Sequence, residues 1–258
     1  MSSPNSTAPV TDSVAGTETG TGTGQPGPRG TRIPPRGQGT TPSGQPDARA
    51  VVRPKSSVRR TAQIVGILFL AGFLTYGVGS LIATGVVRSA DRSDSTALFV
   101  TGAALMLLNS AIVIGIGVLL FPILRAHNKA VAAGYLGTRI FEGVGLALGV
   151  VSLILFTGSS AIHANSVFYN VAEAGLGIGS LFFCTLLFRT RLVPRFLAAW
   201  GFIGYACFAA GTLLELSGVA GAGLVGALPG GLFELTFGIW LIARGFTSPA
   251  TVGSRAST

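Results

Sequence analysis

Long apolar runs alternate with short polar links along most of this chain. Six such runs occur, and each is close to the roughly 20 residues that a helix needs to cross a hydrocarbon core. Their approximate bounds are Thr61–Val87, a stretch within Ser95–Leu124, Ala130–Phe156, Val167–Phe188, Phe196–Leu216 and Leu224–Ala243. The pattern predicts an all-α membrane protein. We expect a six-transmembrane-helix bundle over residues 61–243, followed by a short polar cytoplasmic tail over residues 244–258.

The first 60 residues differ in composition from the rest of the chain. Ser, Thr, Gly and Pro dominate them, and nine of the 13 prolines fall before Lys55. Such a segment has too little apolar surface to offset the entropy that is lost on ordering. We therefore expect a disordered, basic, cytoplasmic N-terminal arm over residues 1–60. It is either a solvated tether or a segment that docks on anionic lipid or on a partner.

The net charge of +9 is spread over the arm and the links between the apolar runs. Only 10% of the residues are charged, whereas a soluble domain carries about 25%. This distribution is typical of a protein whose partner is the lipid bilayer, and we expect no nucleic-acid partner. Five basic residues at the cytoplasmic links form a candidate anchor for anionic headgroups. They are Arg125, Lys129, Arg189, Arg191 and Arg195.

The links on the opposite side carry little basic charge. Near the spans they contain only Arg88 and Arg92, and both lie in a short segment with Asp91 and Asp94. Lys and Arg accumulate on the cytoplasmic side of membrane proteins. The asymmetry therefore predicts a multi-pass plasma-membrane protein with both termini in the cytoplasm.

Four stretches of the chain are similar, in sequence and in order, to one protein family. They are Ala62–Gly72 (AQIVGILFLAG), Phe121–Val144 (with RAHNK and TRIFEG), Leu186–Gly204 (with RTRLVPR) and Glu234–Phe246 (ELTFGIWLIARGF). They resemble the uncharacterised bacterial integral-membrane family called domain of unknown function 4386. The resemblance covers most of Thr61–Phe246 and leaves out the arm. It implies a bacterial multi-helix membrane protein with no assigned activity and no catalytic residue to carry over.

Several polar residues lie well inside the predicted spans. At about 1.5 Å per residue, the ionisable ones share a layer that extends from the midplane outward. In the third, fourth and sixth spans they follow helical spacing together with small residues, which mark faces where membrane helices pack closely. We therefore expect a buried polar cluster among these three helices. Its candidate members are Arg139, Glu142, Asn170, Glu173 and Glu234.

Three carboxylates and one guanidinium would leave a formal charge of −2 in this cluster. Because a medium of low dielectric disfavours uncompensated charge, we expect either a protonated carboxyl or a bound cation. Two interpretations stay open. The cluster either only holds the helices together, or serves a small proton- or cation-coupled transporter with Arg139 as counter-ion or anion contact. A third interpretation is an intramembrane lipid-modifying enzyme, for which the sequence offers no nucleophile or metal cluster.

Pro229, Gly230 and Gly231 lie about one turn before Glu234 in the sixth span. Proline removes a backbone hydrogen bond, so we expect these residues to kink or break the helix. Broken helices at membrane depth are common at transporter sites. The dipeptide Phe-Glu, which occurs in both the third and the sixth span, also fits two inverted halves of three helices.

Other chemistry-bearing patterns are missing from the sequence. Neither a phosphate loop nor a nucleophile elbow occurs, and the two histidines are isolated. Cys184 and Cys207 lie in apolar runs, which is typical of inert buried thiols. We therefore expect no metal, no cofactor and no catalytic residue, and the sequence favours a non-enzyme. Tyr76 and Tyr205 are interpreted as packing or interfacial aromatic residues.

Overall fold

A computed structural model describes residues 20–22, 55–89 and 95–247 of the chain. The chain divides into two units, Met1–Arg49 and Ala50–Thr258. Of the first unit only residues 20–22 are described, and they lie in no helix or strand. Residues 1–19 and 23–54 of the predicted arm, residues 90–94 and residues 248–258 fall outside the described residues, so the disorder of the arm stays a prediction there.

Six α-helices, and no strand, make up the described part of the second unit. They are α1 (Lys55–Ser89), α2 (Thr96–Arg125), α3 (Lys129–Leu155), α4 (Gly158–Thr190), α5 (Arg195–Leu216) and α6 (Ala222–Ala243). Each is long and apolar enough to cross a membrane. The two shortest, α5 and α6, contain 22 residues each, which corresponds to about 33 Å and matches a hydrocarbon core of about 30 Å. The prediction of an all-α, six-helix, multi-pass membrane protein is confirmed.

The helices form a closed ring. Each packs against the next in the chain, and α6 packs against α1. Across the middle of the ring, α1 also contacts α4. Residues from all six helices therefore meet in the interior of the bundle.

The outer surface of the ring is apolar. Large aliphatic side chains point outward along it, with Leu81 76% exposed and Leu224 73% exposed. Such exposure is costly in water but not among acyl chains, so the side chains indicate a lipid environment.

Small residues bring neighbouring helix backbones close together. A Cβ on Gly211 of α5 would lie 2.8 Å from the Cα of Gly226 on α6, and a Cβ on Gly204 would lie 3.0 Å from the Cα of Gly230. A larger residue at any of these positions would force the two helices apart. Gly226 and Gly230 form a Gly-x-x-x-Gly pair, which is a common means of close packing in membranes.

Two helices begin earlier than the sequence predicts. α1 begins at Lys55, before Thr61. α4 begins at Gly158, so the polar segment Gly158–Ser166, which the sequence places in a link before the fourth span, is helical. The segment is polar but contains no proline, and its Ala161 is fully buried in a small apolar cluster between the helices. Tertiary packing thus stabilises a helical turn that composition alone assigns to a loop.

Of the kink or break expected at Pro229, Gly230 and Gly231, the break is wrong. α6 is continuous from Ala222 to Ala243, with Pro229 inside it. A proline removes only one backbone hydrogen bond, and packing against neighbouring helices can offset that loss in a membrane. Pro229 lies at the close α5–α6 contact, because a Cβ on Gly204 would meet its carbonyl oxygen at 2.9 Å.

The two basic links of the predicted anchor are short turns. Asn128 caps α3, since its side-chain oxygen accepts a hydrogen bond from the backbone N–H of Val131 at 3.0 Å. Pro194 is the N-cap residue of α5. The five anchor residues are all exposed at the ends of α2, α3, α4 and α5: Arg125, Lys129, Arg189, Arg191 and Arg195.

Candidate functional site

Arg139 lies at the centre of the polar interior and is only 1% exposed. Its Nη1 donates to both carboxylate oxygens of Glu142, at 2.9 and 3.2 Å. Its Nη2 donates to Oε1 of Glu234 at 3.3 Å, and its Nε donates to the hydroxyl of Tyr135 at 2.9 Å. All three nitrogen atoms of the guanidinium therefore have a partner, as a buried charge requires.

Spacing along α3 explains part of this arrangement. Tyr135, Arg139 and Glu142 are four and three residues apart, so they share one face of the helix. The remaining partners come from other helices: Glu234 from α6, and Tyr205 from α5, whose hydroxyl donates to Oε1 of Glu234 at 2.6 Å. These five residues are called the Arg139 cluster below. The cluster joins α3, α5 and α6.

Aromatic rings and a glycine complete the surroundings of the guanidinium. The Cζ of Arg139 lies 5.2 Å from the ring centroid of Phe69 on α1 and 5.3 Å from that of Tyr135. Both distances are typical of cation–π contacts. On α2, a Cβ added to Gly117 would lie 2.8 Å from the Cβ of Arg139. The lack of a Cβ at Gly117 thus leaves room for the Cβ of Arg139.

A cavity of about 190 Å³ adjoins the Arg139 cluster. All six helices contribute residues to its wall. The polar residues of the wall are Tyr76, Asn109, Arg139, Glu142, Tyr169, Glu173 and Glu234. The apolar part includes Phe69, Phe73 and Phe208. A polar cavity inside a membrane bundle is where binding and coupling residues of membrane proteins are found.

Glu173 of α4 differs from the other two acids of the cavity. It is 7% exposed, and it lines the cavity. Within residues 55–89 and 95–247, no group donates a hydrogen bond to its carboxyl and no cation forms an ion pair with it; the ion pairs of Arg139 go to Glu142 and Glu234. The site therefore holds one hydrogen-bonded set, in which two carboxyls share a single guanidinium, and one carboxyl without a protein partner that lines the cavity.

The predicted cluster residues are not all brought together. Arg139, Glu142, Glu173 and Glu234 line the same cavity. Asn170 is buried outside that lining, and its side-chain nitrogen donates to the backbone oxygen of Ser166 at 2.8 Å. The hydrogen-bonded network joins α3, α5 and α6, whereas the sequence indicates the third, fourth and sixth helices. The functional use of these residues stays a prediction.

Sequence reasoning missed the tyrosines of the site. Tyr205 is fully buried and hydrogen-bonded, so its interpretation as a packing or interfacial residue is incomplete. Tyr76 stacks on Tyr169 with ring centroids 5.3 Å apart. For two of the tyrosines, the spacing in the sequence does indicate a place at the site. Tyr135 lies four residues before Arg139, and Tyr169 lies four residues before Glu173, so each shares a helix face with a charged residue.

The remaining candidates have simpler surroundings. Gly231 lines the cavity, while Gly230 packs against α5. In the anchor, Arg195 lies over the ring of Phe188 at 5.3 Å. Among the described residues, no group of three His, Cys, Asp or Glu side chains is arranged to hold a metal ion.

In the comparison with known proteins, the chain matches a family model. The family described as "Domain of unknown function (DUF4386)" matches residues 64–245. This range contains the whole Arg139 cluster, Glu173 and both basic turns. No curated protein and no solved structure is significantly similar to the chain.

Proposed function

The chain belongs to the DUF4386 family, a family of unknown function, and on this premise we propose that it is a small transporter of the bacterial plasma membrane. In this proposal, protons and a monovalent cation compete for Glu173. The Arg139 cluster has a structural role, which is to hold α3, α5 and α6 around the cavity.

The unpaired carboxyl of Glu173 is the observation that carries this proposal. A buried carboxylate without a cation partner is costly, so a proton or a bound cation must compensate it. Arg139 forms no ion pair with Glu173, because its nitrogens are hydrogen-bonded to Tyr135, Glu142 and Glu234. A purely structural acid would be expected to have a partner from the protein. A carboxyl that faces a cavity can instead bind and release a proton or a cation.

The structural role of the Arg139 cluster is supported by its complete hydrogen bonding. One arginine contacts residues of its own helix and of α6, and Tyr205 extends the network to α5. Removing one member would leave buried polar groups without partners. The cluster can therefore fix the positions of three helices, while Glu173 on α4 stays free to bind.

The orientation in the membrane belongs to the same proposal. Basic residues occupy the α2–α3 and α4–α5 turns, whereas the turns at residues 156–157 and 217–221 contain no Lys or Arg. The positive-inside rule then favours both termini in the cytoplasm, with the basic turns beside the anionic headgroups of the inner leaflet.

Proton movement in proteoliposomes tests the transport proposal. The purified full-length protein is reconstituted with the pH dye pyranine inside, and NaCl, KCl or tetramethylammonium chloride is added outside. We expect at least one of these salts to change the internal pH with the wild-type protein. We expect Glu173→Gln to abolish the change, because glutamine keeps the shape of the side chain and loses the titratable charge.

Glu215→Gln is the matched control. Glu215 lies outside the cavity wall, and its carboxylate accepts a hydrogen bond from the backbone N–H of Gly223 at 3.0 Å, which a glutamine oxygen can also accept. This variant should behave like the wild type. The transport proposal is wrong if none of the three salts moves protons, or if Glu173→Gln moves them as well as the wild type does.

A further inference from the structure

One wall of the cavity is aromatic. Tyr76 of α1 and Tyr169 of α4 stack on each other where these helices meet across the ring. Phe69, Phe73 and Phe208 also line the cavity. Glu173 lies one helical turn after Tyr169 on the same face of α4. Aromatic rings and an unpaired, buried carboxyl therefore share one compartment.

We propose that this cavity binds a small organic monocation of the alkylammonium type, against the Tyr76–Tyr169 pair and the carboxyl of Glu173. The inference rests on the proposed function and names the class of cation for that site. It draws on the aromatic composition of the wall, which the transport proposal does not use.

The chemistry of the wall selects a cation. Aromatic faces attract positive charge, and desolvated cation–π contacts contribute about 2 kcal/mol or more. The same compartment already shows this preference, because the guanidinium of Arg139 lies about 5 Å from the ring centroids of Phe69 and Tyr135. An anion would face three carboxyls and a single arginine that is already paired.

The same wall favours an organic cation over a metal ion. Hard metal cations such as Ca²⁺ and Mg²⁺ are bound by about six or more oxygen ligands. The described residues contain no group of three acidic, histidine or cysteine side chains arranged for such binding. Rings and aliphatic groups make up most of the remaining wall. They would contact the methyl or methylene groups of an alkylammonium ion.

The volume of the cavity limits the size of the ligand. Cavities of about 150 Å³ accommodate a molecule the size of benzene. At about 190 Å³, this one can hold a compact cation of similar size. Tetramethylammonium is smaller than that limit, and it is the probe that we choose.

The binding experiment uses full-length protein in lipid nanodiscs and radiolabelled tetramethylammonium. Unlabelled tert-butanol serves as the uncharged competitor of nearly the same shape. We expect saturable binding that unlabelled tetramethylammonium displaces and that tert-butanol does not. Glu173→Gln and Tyr169→Leu should each weaken binding about tenfold or more, whereas Tyr169→Phe should stay within about threefold, because it keeps the aromatic ring.

Two further variants separate binding from folding. Tyr76→Leu removes the other ring of the pair, so it should also weaken binding even if Tyr169→Leu fails to fold. Phe182→Leu on α4 changes a side chain that is 64% exposed toward lipid, and it should bind like the wild type. The inference is overturned if the wild type does not bind tetramethylammonium, if tert-butanol competes equally, or if Glu173→Gln and whichever of Tyr169→Leu and Tyr76→Leu folds bind as the wild type does.

The two proposals fail separately. If Na⁺ or K⁺ moves protons in a Glu173-dependent way and tetramethylammonium does not bind, the transport proposal stands and the ligand class is wrong. If tetramethylammonium binds with the expected variant pattern but no salt moves protons, the binding site stands and transport is wrong.

Discussion

The hydroxyl of Tyr205 lies 2.6 Å from Oε1 of Glu234, the same oxygen atom that accepts a hydrogen bond from Arg139. One carboxylate oxygen thus connects α5 to α6 and, through the arginine, to α3. Hydrogen bonds to charged groups are shorter and stronger than neutral ones. This contact therefore holds the glutamate in the orientation in which it pairs with Arg139.

Removing the Tyr205 hydroxyl should destabilise the bundle. We expect Tyr205→Phe to lower the free energy of unfolding by about 1–2 kcal/mol, because the ring still fills its space and only the hydrogen bond is lost. Unfolding by SDS in mixed micelles measures the difference. Tyr76→Phe is the control, since its hydroxyl has no hydrogen-bond partner among the described residues, and it should stay within about 0.5 kcal/mol of the wild type. Equal stabilities of the two variants would contradict the prediction.

The pair Arg139–Glu142 should show strong thermodynamic coupling. Arg139→Met leaves the buried carboxylate of Glu142 and the partly buried one of Glu234 without a cation, and we expect it to cost about 3–5 kcal/mol. Glu142→Gln added to this variant removes one of the uncompensated charges. The double variant should therefore be more stable than the sum of the single effects predicts, by about 1–3 kcal/mol. A double-mutant cycle by SDS unfolding measures this coupling energy, and a value near zero would show that the ion pair does not stabilise the fold.

The sequence predicts the six helices because span length and hydropathy are local properties. It also predicts which ionisable side chains point into the bundle, because Arg139, Glu142, Glu173 and Glu234 each fall on a face of small residues, and all four line the cavity. The partner of Glu234 is a different matter. Tyr205 is 29 residues away in the chain, and no local spacing indicates their contact. This contact depends on how α5 and α6 pack against each other.

Composition also misleads where packing overrides it. The polar segment Gly158–Ser166 reads as a link, yet it forms the first turns of α4. Pro229 and its two glycines read as a break, yet α6 continues through them. In both places the segment packs against a neighbouring helix. That contact stabilises the helical conformation beyond what propensity predicts.

Gly117 offers a test of how tightly Arg139 is held. An added Cβ would lie 2.8 Å from the Cβ of Arg139, which is closer than two carbons can approach. We expect Gly117→Ala to lower the free energy of unfolding by about 1–3 kcal/mol through overpacking. Gly115→Ala on the same helix is the matched control, because its Cβ would have Leu68 Cδ1 as nearest neighbour at 4.0 Å. The control should be neutral or slightly stabilising, because alanine favours the helix.

The two glycine variants are compared by SDS unfolding under identical conditions. Gly117→Ala should also shift α2 away from α3 and weaken tetramethylammonium binding, because Arg139 lines the cavity. Equal stabilities of the two variants would show that α2 does not confine the side chain of Arg139.

The proposed orientation predicts which turns react with reagents outside the cell. In a variant with both native cysteines replaced, we expect Val219→Cys, in the α5–α6 turn, to react with a membrane-impermeant maleimide in intact cells. Ala126→Cys, in the basic α2–α3 turn, should react only after the cells are opened. Both positions are exposed, so a difference in labelling reports the side of the membrane rather than burial. The physical reason is that Arg125 and Lys129 flank Ala126 and hold that turn on the cytoplasmic side.

The membrane-permeant form of the reagent is the control, and it should label both variants equally in intact cells. Ser159→Cys, at the α3–α4 turn, gives an independent reading and should behave like Val219→Cys. The proposed orientation is wrong if Ala126→Cys is labelled in intact cells while Val219→Cys and Ser159→Cys are protected. In that case the basic turns would lie outside the cell.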